Sequence, residues 1–385
     1  MRREALSDIV AIMPTIRLFA ALIFLVACPG VTGAESKNKK RPRPAPVVSP
    51  ILHDDGRVTF QIQAGSASEV SVSGEMMKGK LPLEKGENGI WKGTLEAVGP
   101  GLYGYNFTVD GVRMLDPGNP SLKPMRSPRT SILHLPGDHI FDFQDVPHGT
   151  VHAHAYQSGA IDRFREMKVY TPPGYEKGDT EYPLLVLQHG HSDSFATWVE
   201  YGKAHWIMDN LIAAGKATPM IVLMLDGHPI PESYGNGRSP ENTEELRKDL
   251  LEAALPVVEK KYRILPGRDY RAIAGLSMGG LHALTIGLNE LDTFSTIASF
   301  SGAMPGNGVL ESALSDPDST NQRLNLLWIA CGKDDFLLEE NEAFIRRLEK
   351  SGIEHAWLLT EGGHSWPVWR DYLAKLAPLL FRQAE

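Results

Sequence analysis

Two periodicities divide the chain. Between residues 51 and 128, apolar and polar positions alternate over short runs: Val58-Thr-Phe-Gln-Ile-Gln63, Val70-Ser-Val-Ser73, Ile90-Trp-Lys-Gly-Thr-Leu95 and Tyr103-Gly-Tyr-Asn-Phe-Thr-Val109. Period-two alternation predicts strands with one face buried. Asp110-Gly111 predicts a tight hairpin into Val112-Arg-Met-Leu115. Short strands at this spacing predict a small all-β sandwich. From residue 145 to 385 the pattern changes. Met167–Tyr170, Pro183–Gln188, Met220–Leu225, Ala272–Ala274, Ile297–Phe300 and Leu326–Ala330 are mainly apolar runs, as strands covered on both faces would be. Helix-like segments separate them. In 245–262, Leu246, Leu250, Ala254, Val257 and Val258 fall on one face at helical spacing. The prediction is an α/β domain with a mostly parallel sheet and helices on both sides.

The first 50 residues fit neither pattern. Arg17 precedes an apolar run of 11 residues, Leu18–Cys28, the length of a signal-peptide core and too short to span a bilayer comfortably. Small residues after it place a cleavage site behind Ala34. Leu25-Val-Ala-Cys28 also resembles a bacterial lipobox, in which Cys28 would carry lipid and form the new N-terminus. Residues 35–50 are basic, then Pro-rich, and are expected to be an extended linker. The expected location is secreted, periplasmic or cell-surface, with membrane contact only through an anchor at Cys28.

Composition narrows the function. The 385-residue chain has a net charge of −8, which argues against a broad phosphate-binding surface and hence against nucleic acid as partner. Its two cysteines, Cys28 and Cys331, cannot build a disulfide framework.

The strongest chemical signal is Gly275-Leu-Ser-Met-Gly279, after the strand Arg271-Ala-Ile-Ala and before the helix-like Gly280-Leu-His-Ala-Leu. A strand–GxSxG–helix turn lifts a serine hydroxyl clear of the sheet and puts the next amide, on Met278, at a helix N-terminus where it can donate to an oxyanion. Serine needs a base, and the base an orienting acid. In this fold the acid and the histidine follow the serine in chain order. Lys333-Asp-Asp-Phe336 comes just past an apolar strand, and His364, in Gly362-Gly-His364-Ser-Trp366, lies 29 residues after Asp335. Asp334 and Asp335 are both candidates for the acid. The second oxyanion donor is expected on Gln188-His-Gly190-His191, with the His191 amide as candidate. The pairs His189/His191 and His152/His154 could suggest a metal, but neither has a third ligand at a known spacing, and no metal or organic cofactor is expected. Cys331 is expected to be a buried structural thiol.

The second domain resembles carbohydrate esterase family one, within the esterase D superfamily, through Met167–Tyr175, Gln188-His-Gly190, Asp209–Gly215 with Pro219–Val222, Arg271–Gly280, Phe300-Ser-Gly302 and Gly363–Trp366. The first resembles the immunoglobulin-like module related to glycogen-binding modules, through Gly89–Trp91, Gly101–Phe107, Val109–Val112 and Asp116–Pro120. These resemblances imply an α/β-hydrolase fold behind an immunoglobulin-like sandwich, with Ser277 as nucleophile, Asp335 as acid and His364 as base. They also offer Trp198 and Trp366 as walls of an acyl or sugar pocket, and Trp91 and Tyr103 as sugar-stacking aromatics, with packing as the alternative role for all four. The implied activity is hydrolysis of feruloyl or acetyl esters on plant polysaccharide or oligosaccharide. The alternatives are another ester, such as a siderophore trilactone, and a noncatalytic carbohydrate-binding surface protein.

Overall fold

The computed structural model describes residues 46–230, 236–306 and 308–382. The expected signal segment, with Cys28 and Ala34, and the linker up to residue 45 lie outside the described residues.

The alternating runs form two facing sheets. One holds Ile51–Leu52, Val58–Gln63, Ile90–Leu95 and Glu84–Lys85; the other holds Leu81–Pro82, Val70–Gly74, Gly101–Val109 and Val112–Met114. Phe60, Val72, Trp91, Tyr105 and Phe107 fill the space between them. Trp91 is a core side chain whose indole N–H donates to Ala64 O at 2.9 Å. Tyr103 is half-buried, and its hydroxyl is taken up by Gly99 O and Pro100 O.

Two boundaries differ from those expected. Ser49 is buried and donates to Asp116 Oδ2 at 2.6 Å, so the end of the Pro-rich stretch is already docked on the sandwich. At the other end the sandwich runs past residue 128. Ser131–Leu135 pairs with Gly101–Tyr105, and residues 121–132 fold back as an arm closed by Lys123 N–H to Thr130 O and Ile132 N–H to Ser121 O.

The second region is an α/β-hydrolase fold built on eight strands, in the order Thr150–Ser158, Arg163–Thr171, Ile221–Leu225, Leu184–Gln188, Arg271–Leu276, Thr296–Phe300, Leu326–Gly332 and Ala356–Thr360. The first three pair antiparallel and the rest parallel. Helices cover both faces and bury the apolar strands in two clusters. The helix expected at 245–262 exists with a fault in it. Pro240–Asp249 and Leu255–Lys261 are α-helical, joined by a wider π turn at Leu250–Ala254. Pro256 supplies no amide to the helix ladder, and a π turn absorbs such a defect without breaking the helix. Leu246, Leu250, Ala254 and Val258 are buried as expected, while Val257 is only partly covered.

The two regions share packing. Leu102 of the sandwich belongs to the second cluster, and Ile132 packs against it. Arg370, on helix Trp366–Leu376, donates to Tyr201 O at 3.0 Å and to Leu102 O at 2.8 Å.

Candidate active site

The turn around Ser277 follows from local sterics. A Cβ at Gly275 would lie 2.3 Å from Gly279 O, and one at Gly279 would lie 2.6 Å from His189 O. Both clashes are with backbone, which cannot yield, so the two glycines let the strand, the turn and the end of Leu184–Gln188 touch. Ser277 takes φ 55°, ψ −116°, a conformation that costs a non-glycine residue about 1–3 kcal/mol. Its backbone is held on both sides: Ser277 N–H donates to Phe300 O at 2.9 Å, and Ser277 O accepts from Ala303 N–H and Gly280 N–H at 3.0 Å. Helix Met278–Asn289 starts at the next residue. The Met278 amide is therefore one of the helix's unsatisfied N–H groups.

Three side chains distant in sequence converge here. His364 Nε2 is 3.0 Å from Ser277 Oγ. His364 Nδ1 is 3.0 Å from both carboxylate oxygens of Asp335. Asp335 is buried, whereas Asp334 is exposed and uses its amide to bond Gly362 O. Of the two aspartates, the geometry brings Asp335 and not Asp334 to His364. Burial raises the Asp335 pKa, but the hydrogen bonds from His364 and from the Leu337 amide outweigh it and hold the carboxyl below its ordinary range. An ionised carboxylate on Nδ1 fixes the tautomer that leaves Nε2 free to accept the serine proton.

Gly190 passes close by; a Cβ there would meet Leu276 Cδ1 at 2.6 Å and Ser277 Cβ at 3.6 Å. His189 is buried with both ring nitrogens in use. Nε2 accepts from Gly227 N–H at 2.9 Å, so Nδ1 carries the proton and donates to Gly190 O at 2.8 Å. It is thus engaged as a structural hydrogen-bonding group. His152 bonds Thr171 Oγ1 and His154 bonds the Tyr262 hydroxyl. Among the described residues no group of three or more His, Cys, Asp or Glu is placed to hold a metal ion. Cys331 is buried beside Asp335, and burial, helped by that charge, pushes its thiol up to about 12.

A cavity of about 340 Å³ opens over Ser277, with His191, His364, Phe336, Trp366 and Trp369 in its wall. Trp366 lines it; Trp198 does not. Trp198 lies beneath the loop, edge-on to Trp366 at 5.0 Å, with its indole N–H on Gln188 O at 3.0 Å. The structure gives it a packing role. Sequence reasoning also missed several wall residues. Phe336 is 70% exposed, and its ring centre is 4.4 Å from that of His364. Glu75 and Lys123 arrive from the sandwich side. Phe336 lay beside the acid motif and could have been noticed there. Glu75 and Lys123 had no local signal. A second cavity of about 400 Å³, with Leu281, Ile286, Met304 and Val309 in its wall, shares Arg238 with the first.

Residues 158–380 match the model of the Esterase family. The chain belongs to this family. Among curated relatives, an endo-1,4-β-xylanase/feruloyl esterase of Xylanibacter ruminicola is 32% identical over 345 residues, which is 86% of this esterase-family chain and 46% of that protein. The chain thus spans about half the length of that relative. Among solved structures, a family-one ferulic acid esterase from Anaeromyces mucronatus superposes with a TM-score of 0.54 at 25% identity, over 64% of this chain and 94% of that one. The enterobactin esterase of Shigella flexneri superposes with a TM-score of 0.61 at 18% identity, over 84% of this chain and 92% of that one, a likeness of fold.

Proposed function

We propose that this protein is an exported serine esterase that removes feruloyl or acetyl groups from plant polysaccharide or its oligosaccharides. The observation that carries the reading is the hydrogen-bonded line Ser277–His364–Asp335 at the floor of an open cavity. Ser277 Oγ attacks the ester carbonyl carbon as His364 Nε2 takes its proton. The amides of Met278 and His191 receive the oxyanion, and each such donor is worth about 3–4 kcal/mol in the barrier. His364 then returns the proton to the leaving sugar hydroxyl, and water releases the acid from the acyl-enzyme through the same base. Asp335 stays ionised throughout.

The xylanase/feruloyl esterase relative and the ferulic acid esterase structure support the substrate class. The apolar groove of Leu281, Met304 and Val309 offers room for an aromatic acyl group, which acetate would not need. Phe336, exposed at the cavity, is suited to face the sugar, while Trp366 is buried and backs the wall behind it. Export is supported by the apolar run Leu18–Cys28.

The test is turnover of methyl ferulate, acetylated xylan and a ferric trilactone side by side. Release of ferulate or acetate, lost by a factor of about 10⁶ in Ser277→Ala, is the expected result. Activity on the trilactone alone overturns the substrate assignment, and undiminished turnover in Ser277→Ala overturns the mechanism.

A further inference from the structure

Residues 190–193, which carry the His191 amide, belong to no helix or strand. They are held by the arm 121–132 that extends from the sandwich. Arg126 N–H donates to Ser192 O at 3.2 Å, and Met125 and Asp193 form an antiparallel bridge. Lys123 Nζ lies 2.9 Å from Asp193 Oδ1, with both side chains almost wholly covered. Just downstream, Ser194 Oγ and Thr197 Oγ1 both donate to Pro124 O.

These contacts converge on the two peptide groups that flank His191. In a trans peptide the carbonyl of one residue and the N–H of the next share a plane and point in opposite directions. Fixing Gly190 O therefore fixes the direction of His191 N–H. Gly190 O accepts from Asp193 N–H at 3.1 Å, and Asp193 is the residue that Lys123 pins. The next carbonyl, His191 O, accepts from His228 Nε2 at 2.7 Å, which leaves His228 Nδ1 to accept from Arg126 Nη1 at 2.9 Å. Two short relays thus run from the arm to the loop: Lys123 through Asp193, and Arg126 through His228.

We propose that Lys123 and Arg126, supplied by the sandwich, are positioning residues of the hydrolytic site that aim the His191 amide at the oxyanion. The inference rests on the reading of that amide as an oxyanion donor. The arm then acts on the transition state, because a donor turned away from the oxyanion costs little while the substrate is merely bound. Loss of Lys123 also leaves a buried carboxylate without its counter-charge, which drives Asp193 to move.

The test uses the full chain with Lys123→Met, Asp193→Asn, the double variant and Arg126→Ala. Each is assayed for kcat and KM on methyl ferulate or p-nitrophenyl acetate, and for inhibition by an arylboronic acid that forms a tetrahedral adduct on serine. Lys123→Met is expected to lower kcat about 10- to 100-fold with KM changed by less than about twofold, since a donor is misplaced and not removed. Boronate Ki is expected to rise in step with the fall in kcat/KM. The double variant is expected to recover part of the loss, because it no longer buries an unpaired charge. Arg126→Ala, which spares the ion pair, is expected to lower kcat about tenfold and serves if Lys123→Met does not fold. Folded variants with unchanged kcat overturn the inference, and so does a loss of active fraction at unchanged boronate Ki. Either outcome leaves the esterase reading intact as long as Ser277→Ala is inactive; turnover in Ser277→Ala overturns that reading itself.

Discussion

On one side of the cavity Ser277 is fixed by its own chain neighbours. Gly275 and Gly279 touch backbone to backbone, and the residues at 300 and 303 bond the serine peptide from either flank. On the other side His191 is fixed by side chains from elsewhere: His189 below it, His228 beside it, and through them and Asp193 the sandwich arm. The first half of the site is set by where atoms cannot go, the second by hydrogen bonds and one ion pair. Steric constraint resists change in solution conditions. A polar network is only as strong as its weakest partner.

The largest expected effect tests whether the histidine side is aimed by one carboxylate. Asp335→Asn is expected to cut kcat about 10⁴-fold by presenting the wrong tautomer of His364, close to 5.5 kcal/mol in the barrier, while Asp334→Asn leaves it unchanged. Equal losses in the two variants would break the assignment. Next comes the steric half. Gly279→Ala places a methyl group against the backbone of Gln188 and His189 and is expected to destabilise the fold by about 1–3 kcal/mol, read from the denaturant midpoint at constant slope. A tolerated alanine would show that the turn is not sterically fixed.

A third experiment probes the helix behind the serine. His282 is fully buried, its Nε2 donates to Gly237 O at 3.0 Å, and burial pushes its pKa from 6.5 down to about 4. The unfolded chain binds this proton first as pH falls. Stability is therefore whole above about 6.5 and declines as the pH drops toward 4, by about 3 kcal/mol in all. His282→Gln, which keeps a donor and cannot titrate, is expected to flatten that slope in urea unfolding between pH 7 and 4. An unchanged slope would assign the acid sensitivity to other groups.

The same contrast explains what could be read along the chain. Buried strands and the GxSxG turn depend on residues adjacent in sequence, so apolar runs and paired glycines announce them. The order serine, acid, histidine narrowed the site to Ser277, His364 and two aspartates. Only the folded chain, which buries Asp335 against His364 and leaves Asp334 exposed, separates the two. Trp198 and Trp366 looked alike because both are aromatic and follow site loops; one went under the loop and the other into the cavity wall. The arm 121–132 was hidden most completely, since Lys123 and Arg126 acquire their roles only when a segment some 70 residues away folds against them.

Arg370 gives the molecule a further property. Its guanidinium bridges carbonyls at 102 and 201 from a helix that begins two residues after His364. Prising the amino-terminal sheets from the rest would break the bond to Leu102 O and uncover Leu102 and Ile132 together. The seam has no low-cost cleavage plane, so residues 46–382 should melt cooperatively, as a single thermodynamic unit.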